Sequence, residues 1–412
     1  MPSSCPTAGD GPIIGSLVLR QAVLALVLLA ALVRAGEPDA SRAAVERWAH
    51  PHGSAAGNAR SFARAPDSFG GAVWSYKARK TILAPPLTWD GAAFVLDGRS
   101  LAALDIESGR VLARTSVNTD RPGKIAVHDR DFFCLEARRL VQYRLRGRQL
   151  TRGWNFEVGS DASAPAIVSG EIYLTTKGGL LRLRAGARKP AWRIAGDYIG
   201  APAAYGDHVY ALMRANGRLE LTLHARTDGA VVKSVYLGDA PDARGGRVAV
   251  SESILGAQLP GSQGLWAIVA CKRVENGPPD LTFRRNETLG CQPSAGRTAF
   301  LSLARKPLTW CYVTASKDGK RKPMPVVNAK RNPKLARTGV PPISLNWPTI
   351  CFGTWAGNIH SARILWRLDE RPEIKALRDG VRFHAVPARH ELLLLVAKDG
   401  RSLHAIGPEE IG

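Results

Sequence analysis

Residues 85–117 read PPLTWDGAAFVLDGRSLAALDIESGRVLARTSV. Short apolar runs alternate there with Asp90–Gly91, Asp97–Gly98 and Ser108–Gly109, pairs that suit tight turns because glycine accepts a positive φ without steric cost. Three turns join four strands: one to Trp89, one to Leu96, one to Ile106 and one beyond Gly109. The unit returns at 163–194 and 200–232, and a looser copy occupies 124–156. Its marker is an aromatic in the second run, Phe94, Phe133, Tyr173 and Tyr210, at intervals of 39, 40 and 37 residues. The turn Asp97-Gly98-Arg99-Ser100-Leu101 also recurs whole as Asp399-Gly400-Arg401-Ser402-Leu403. A period of about 40 residues with several short strands in each marks a radial array of small sheets, none of which buries both its faces alone. The expected fold is all-β, a β-propeller of four-stranded antiparallel blades.

Beyond Asp239 the rhythm loosens, with strand-like runs at GLWAIVACKRV, RTAFLSLARKPLTWCYV, PTICFGTW and ARILWRL separated by insertions near 240–264, 276–297 and 316–343. Counting units gives seven blades, with eight as the alternative. The closing unit, VRFHAVPARHELLLLVAKDGRSLHAIG, carries three strands, and GAVWSYKAR at 71–79 is placed to supply the fourth. That pairing of an N-terminal strand with the last blade would seal the ring and leave no open strand edge. Trp74 in this segment matches Trp154, Trp192 and Trp366, which end other repeats, and all four are expected to fill wedges between blades as large flat side chains.

The first 35 residues read as a signal peptide. Ala22 to Val33 is a run of twelve uncharged residues behind Arg20, and Val33-Arg34-Ala35 before Gly36 has the small residues of a cleavage site. The run is short of the about 20 apolar residues of a membrane span, although an uncleaved N-terminal anchor is the alternative; either exports the rest. Residues 36–69, rich in Ala, Gly, Ser, Pro and Arg without periodicity, read as a linker or extended arm, and 70–412 as one propeller domain.

Of six cysteines Cys5 leaves with the leader, and Cys271 and Cys291 flank a loop containing Gly277, Pro278 and Pro279 that a disulfide would close in an oxidising compartment. Burial of all the thiols as small hydrophobes is the alternative. The net charge of +22 becomes about +21 without Arg20, Arg34 and Asp10, so anionic partners are expected, and export excludes nucleic acid. A basic insertion, Lys317, Lys320, Arg321, Lys322, Lys330, Arg331, Lys334 and Arg337, is interrupted by Pro323, Pro325 and Pro333. It reads as an irregular positive loop for contact with an anionic envelope surface.

The pattern Ala103-Leu104-Asp105, then Ser108-Gly109-Arg110-Val111-Leu112, resembles the repeat of pyrroloquinoline-quinone (PQQ)-like β-propellers, an Ala-Leu-Asp, a Thr-Gly-Lys and a tryptophan. Ala113 holds the tryptophan place here, and Trp192 and Trp366 hold it in other repeats. The resemblance implies one of two activities. Quinoprotein dehydrogenases of this kind bind PQQ and calcium in the central funnel, against a vicinal disulfide; this chain has no Cys-Cys pair and no Cys-x-x-Cys-His haem motif. BamB-like propellers use the same ring as a docking surface in outer-membrane protein assembly. They typically follow the leader with a lipid-anchor cysteine, where Ala35 and Gly36 stand here.

His50 and His52 have a spacing that suits a metal, but no third ligand accompanies them, and no metal site is expected. Asp97, Asp207, Asp228 and Asp399 sit beside turn glycines or their equivalents, where capping of the turn accounts for them better than acid–base chemistry. No catalytic or cofactor residue is assigned. The expectation is an exported, periplasmic or envelope-associated scaffold, monomeric as a ring, that binds other envelope proteins. A quinoprotein-like oxidoreductase with PQQ and calcium, or a carbohydrate or small-ligand binder using the funnel, is the alternative.

Overall fold

The computed structural model describes residues 70–119, 121–239, 246–250 and 391–408 continuously. Around these it describes 49–51, 53–56, 60–61, 66, 68, the strands named below, and 372–389 save 378 and 384. In the strands between 254 and 367 the backbone is described, with the side chains of Ala257 and Cys351. The leader, Cys291, His52 and most of the basic insertion lie outside the described residues.

The strands fall into consecutive four-stranded antiparallel sheets, numbered here I to VIII. Sheet I is Leu87–Trp89, Ala92–Asp97, Ser100–Asp105 and Val111–Ser116. Sheet II is Ile125–His128, Asp131–Glu136, Arg139–Arg146 and Gln149–Glu157. Sheet III is Ala166–Val168, Glu171–Thr176, Gly179–Arg184 and Trp192–Ile194. Sheet IV is Asp197–Tyr205, His208–Ala215, Arg218–Ala225 and Val231–Asp239. Sheet V, Arg247–Val250, Ile254–Gln258, Leu265–Lys272 and Asp280–Thr288, touches sheet IV through one parallel bridge, Ala201 to Arg247. Sheet VI is Ser294–Ala295, Ala299–Ala304, Thr309–Thr314 and Arg321–Pro323. Sheet VII is Ile343–Asn346, Thr349–Phe352, Trp355–Asn358 and Ile364–Arg367.

Sheet VIII closes the ring. Val386–Arg389, Leu392–Val396 and Ser402–Gly407 are joined by Gly71–Lys77, which runs antiparallel to Ser402–Gly407 with Ser75 opposite His404 and Tyr76 opposite Leu403. The first strand of each sheet neighbours the first strand of the next from VIII through I to VII, so these strands converge on the axis. Among the described residues the strands form eight such sets. Insertions between 240 and 297 stretch the spacing and obscure the separate identity of sheet V in the sequence.

Burial follows from the radial arrangement. Ala92–Asp97 and Glu171–Thr176, second strands, are buried along their whole length, whereas the outermost Val231–Asp239 is largely open. Successive side chains on a strand point to opposite faces, and in an inner strand each face meets a different neighbour. Phe132 therefore packs into the cluster shared with sheet I, stacked at 6.1 Å on Phe94, while adjacent Phe133 joins the cluster shared with sheet III. Each such fully buried ring or leucine contributes about 1.5–3 kcal/mol. Arg321–Pro323 forms the outermost strand of sheet VI, with Pro323 opposite Cys311, and an edge strand tolerates proline because no further strand needs its N–H.

Candidate functional site in the axial channel

An innermost strand hydrogen-bonds its second strand on one edge and leaves its other amides facing the axis, where each needs a partner. Val127, Ile167, Ala204 and Val250 occupy one repeat position in sheets II to V, opposite Phe132, Ile172, Val209 and Leu255. All four amides are taken by the chain segment 49–56. Val127 N–H donates to the Ala49 carbonyl at 2.7 Å, Ala204 to Ala55 at 2.9 Å and Val250 to Ala56 at 2.9 Å. Ile167 N–H donates to His50 Nε2 at 2.8 Å. Further along, Arg60–Ser61 lies parallel to the first strand of sheet VII, with Arg60 opposite Leu345, the equivalent position again. In sheet VIII that position is Pro387, which has no N–H to offer; Thr88 Oγ1 in sheet I donates to its carbonyl at 3.1 Å.

The segment keeps its course by local bonds. His50 and Gly53 exchange both backbone hydrogen bonds, at 2.9 and 3.0 Å, around Pro51 and residue 52, and Gly53 takes φ +96°, which glycine alone adopts freely. Ser54 Oγ accepts from the Ala56 amide at 3.2 Å. Ala49, His50, Pro51, Gly53, Ala55 and Ala56 are all buried, and the three alanines join three different inter-sheet clusters. Burial, and secondarily the nearby His128, pulls the His50 imidazole down to about 3. The ring is therefore neutral, with Nε2 as acceptor and the proton on Nδ1, which is buried without a partner among the described residues.

Among the described residues no three His, Cys, Asp or Glu side chains assemble as cation ligands. Along the described inner strands Ile125–His128 and Arg247–Val250, the Val127 and Val250 amides are engaged by the chain itself.

The outward part of the ring is fastened by two recurring contacts. Trp74 Nε1 donates to the Ile106 carbonyl of sheet I at 2.7 Å, Trp154 to Ala187 of sheet III at 2.8 Å, and Trp192 to Arg226 of sheet IV at 3.1 Å. Each tryptophan lies on an outermost strand and reaches the turn before the last strand of the following sheet. At Gly109 a Cβ would come within 2.5 Å of the Trp74 ring, so the turn glycine makes room for the indole. The Trp366 side chain lies outside the described residues.

Buried carboxylates make the second contact. Asp97 accepts from the amides of Arg79 at 2.8 Å and Lys80 at 2.6 Å, from Tyr76 Oη at 3.0 Å and from Arg114 at 3.1 Å. Burial alone would raise its pKa, but these donors outweigh it and hold the carboxyl below its usual value. Glu136 accepts from Asn118 N–H at 2.9 Å, Tyr143 Oη at 2.5 Å and Arg152 at 2.9 Å. Glu171 binds Arg182, Tyr173 and, across to sheet IV, Arg226 at 3.2 Å.

The sequence reading of Asp97 as a cap of its own turn is thus corrected: its acceptors are spent on the segment leaving the closing strand. Asp228 and Asp399 do cap their turns, accepting from Ala230 and Arg401 N–H at 2.9 and 2.8 Å. Arg321 and Lys322 sit in sheet VI, and Lys317, Lys320, Lys330, Arg331, Lys334 and Arg337 lie outside the described residues. So does the Cys271–Cys291 pairing, while the side chains of Cys134 and Cys351 are buried. Neither the channel segment nor the inter-sheet carboxylates were assigned from sequence. The one available signal was that Val127, Ile167 and Ala204 each stand six residues before an aromatic marker.

A ring of four-stranded sheets, tryptophan docked on the next sheet's turn and an N-terminal strand closing the last sheet together define a β-propeller, with a repeat similar to that of PQQ-like propellers. Residues 64–235 match the family described as outer membrane protein assembly factor BamB. No curated protein sequence matches the chain. In fold it is similar to BamB from Moraxella catarrhalis, with TM-score 0.53, 13% identity, and 83% of this chain and 98% of that one covered. A europium-containing methanol dehydrogenase gives TM-score 0.56 at 8% identity over 88% and 98%. Sqt1 from Chaetomium thermophilum gives 0.56 at 11% identity over 82% and 99%.

Proposed function

We propose that this protein is an exported, non-catalytic propeller that binds other envelope proteins on its outer faces, in the assembly of the outer membrane. The observation that carries this reading is the match of residues 64–235 to the assembly-factor family, a stretch that contains sheets I to III, most of sheet IV and the docked tryptophans. The strong positive charge supports anionic partners or an anionic envelope surface, with the basic residues 317–337 as the contact. Proximity labelling from the full chain in its native host tests the reading. Outer-membrane assembly proteins should be enriched over a neutral exported control; labelling confined to cytoplasmic proteins rules it out.

A further inference from the structure

The axis of this ring is lined by backbone donors at one level, and what they hold is a peptide. Four consecutive sheets present the same repeat position, Val127, Ile167, Ala204 and Val250, and each amide finds an acceptor on residues 49–56. Recognition of this kind reads a main chain by its carbonyls and leaves side-chain size as the selective feature, as when an extended segment is added to a sheet edge. Here the selected size is small: Ala55 and Ala56 are 9% and 4% exposed, each packed inside a cluster shared by two sheets.

We propose that the axial channel is a binding site for an extended peptide of small residues, that residues 49–56 are its resident occupant, and that a segment of the same chemistry from another protein competes for it. The resident is an imperfect ligand. At the third sheet an imidazole nitrogen stands where a peptide carbonyl would, and its Nδ1–H is buried and unpartnered among the described residues. An unsatisfied buried donor carries a desolvation cost, which a ligand offering a carbonyl to Ile167 escapes. Exchange therefore replaces three carbonyls and one imidazole by four carbonyls on the same four donors. The channel site is separate from the outer faces, so its failure would leave the assembly reading standing, and proximity labelling would not detect its success.

The test uses the full chain with a site-specific protease sequence inserted between Ser61 and Pro66, cut in the folded state. The probe is a fluorescein-labelled peptide of residues 46–61. Uncut protein should leave its anisotropy unchanged. Cut protein should bind one probe per chain while mass spectrometry records release of the original segment. A probe carrying Ala55→Trp and Ala56→Trp should bind at least about tenfold more weakly, as overpacking predicts. Cut protein that keeps its circular dichroism but takes up no probe, or takes up both probes alike, overturns the proposal. Hydrogen exchange on the uncut chain decides independently of cutting. The Val127, Ile167, Ala204 and Val250 amides should exchange as slowly as ladder amides and at least about tenfold faster in the Ala55→Trp, Ala56→Trp double variant; fast exchange in the unaltered chain sinks it.

Discussion

The same five residues, Asp-Gly-Arg-Ser-Leu, form the turn between second and third strands in sheet I and again in sheet VIII, yet their aspartates live in different surroundings. Asp97 is fully buried and receives two amides, a tyrosine hydroxyl and a guanidinium. Asp399 is exposed and accepts only within its own turn, from Arg401 N–H. Between the two turns runs the segment from the closing strand to sheet I: Ala78 donates to Arg401, Ile82 to Gly400, and Gly98 to Thr81. That segment turns its Arg79 and Lys80 amides toward sheet I alone. Identical local sequence thus closes two different hairpins, Asp97 standing opposite Ser100 in sheet I while Ala397 takes Ser402 in sheet VIII, and its aspartates take different electrostatic roles, because both depend on what lies across the seam.

Replacing the aspartates should separate the copies most sharply. Asp97→Ala leaves Arg114 and two amides without their acceptor and is expected to cost about 3–5 kcal/mol. Asp399→Ala removes one exposed turn bond and should cost under about 1 kcal/mol. Urea denaturation of the two variants measures both, and equal losses would break the contrast.

The glycines should behave alike. Gly98 and Gly400 take φ +62° and +71°, and a Cβ on them would approach the Lys80 Cβ at 2.8 Å and the Thr81 Cγ2 at 2.7 Å. Alanine at either position is expected to cost more than about 1 kcal/mol, and an unchanged melting temperature in either variant would show that the positive φ is not limiting there.

The smallest expected effect is on pH dependence. The carboxyl of Asp97 is held below the ordinary aspartate pKa in the folded chain, so its contribution is complete above the unfolded value and is lost as pH falls through the lower folded one. Asp97→Asn should therefore flatten the acid limb of the stability profile below about pH 4. A limb of unchanged slope in that variant would assign the acid sensitivity to other groups, such as Glu171, whose carboxyl is also held below its usual value against the effect of burial.

Much of the ring was legible in the chain. The aromatic interval from Phe94 to Tyr210, the Asp-Gly and Ser-Gly turns and the incomplete last repeat specify four-stranded sheets and their closure by Trp74 and its neighbours, because strand periodicity and turn chemistry are local. Trp74, Trp154 and Trp192 could be marked as packing residues from their place at the ends of repeats. Sheet V was hidden by insertions, since unit counting relies on even spacing and strand pairing does not. Residues 49–61 were opaque for a different reason. Ala, Gly, Ser, Pro and His in no periodic order carry no strand signal, and their partners are amides roughly 80 to 290 residues away along the chain.

By itself, then, the order of residues determined that this protein is a ring of small antiparallel sheets with its beginning sewn to its end, for each blade is written in nearest-neighbour terms. Only the tertiary structure decided which of two identical aspartates is buried and what fills the axis. Both depend on groups far apart in the chain meeting at a seam or a channel, and no local pattern encodes which donors will lack a partner until the sheets have assembled around them.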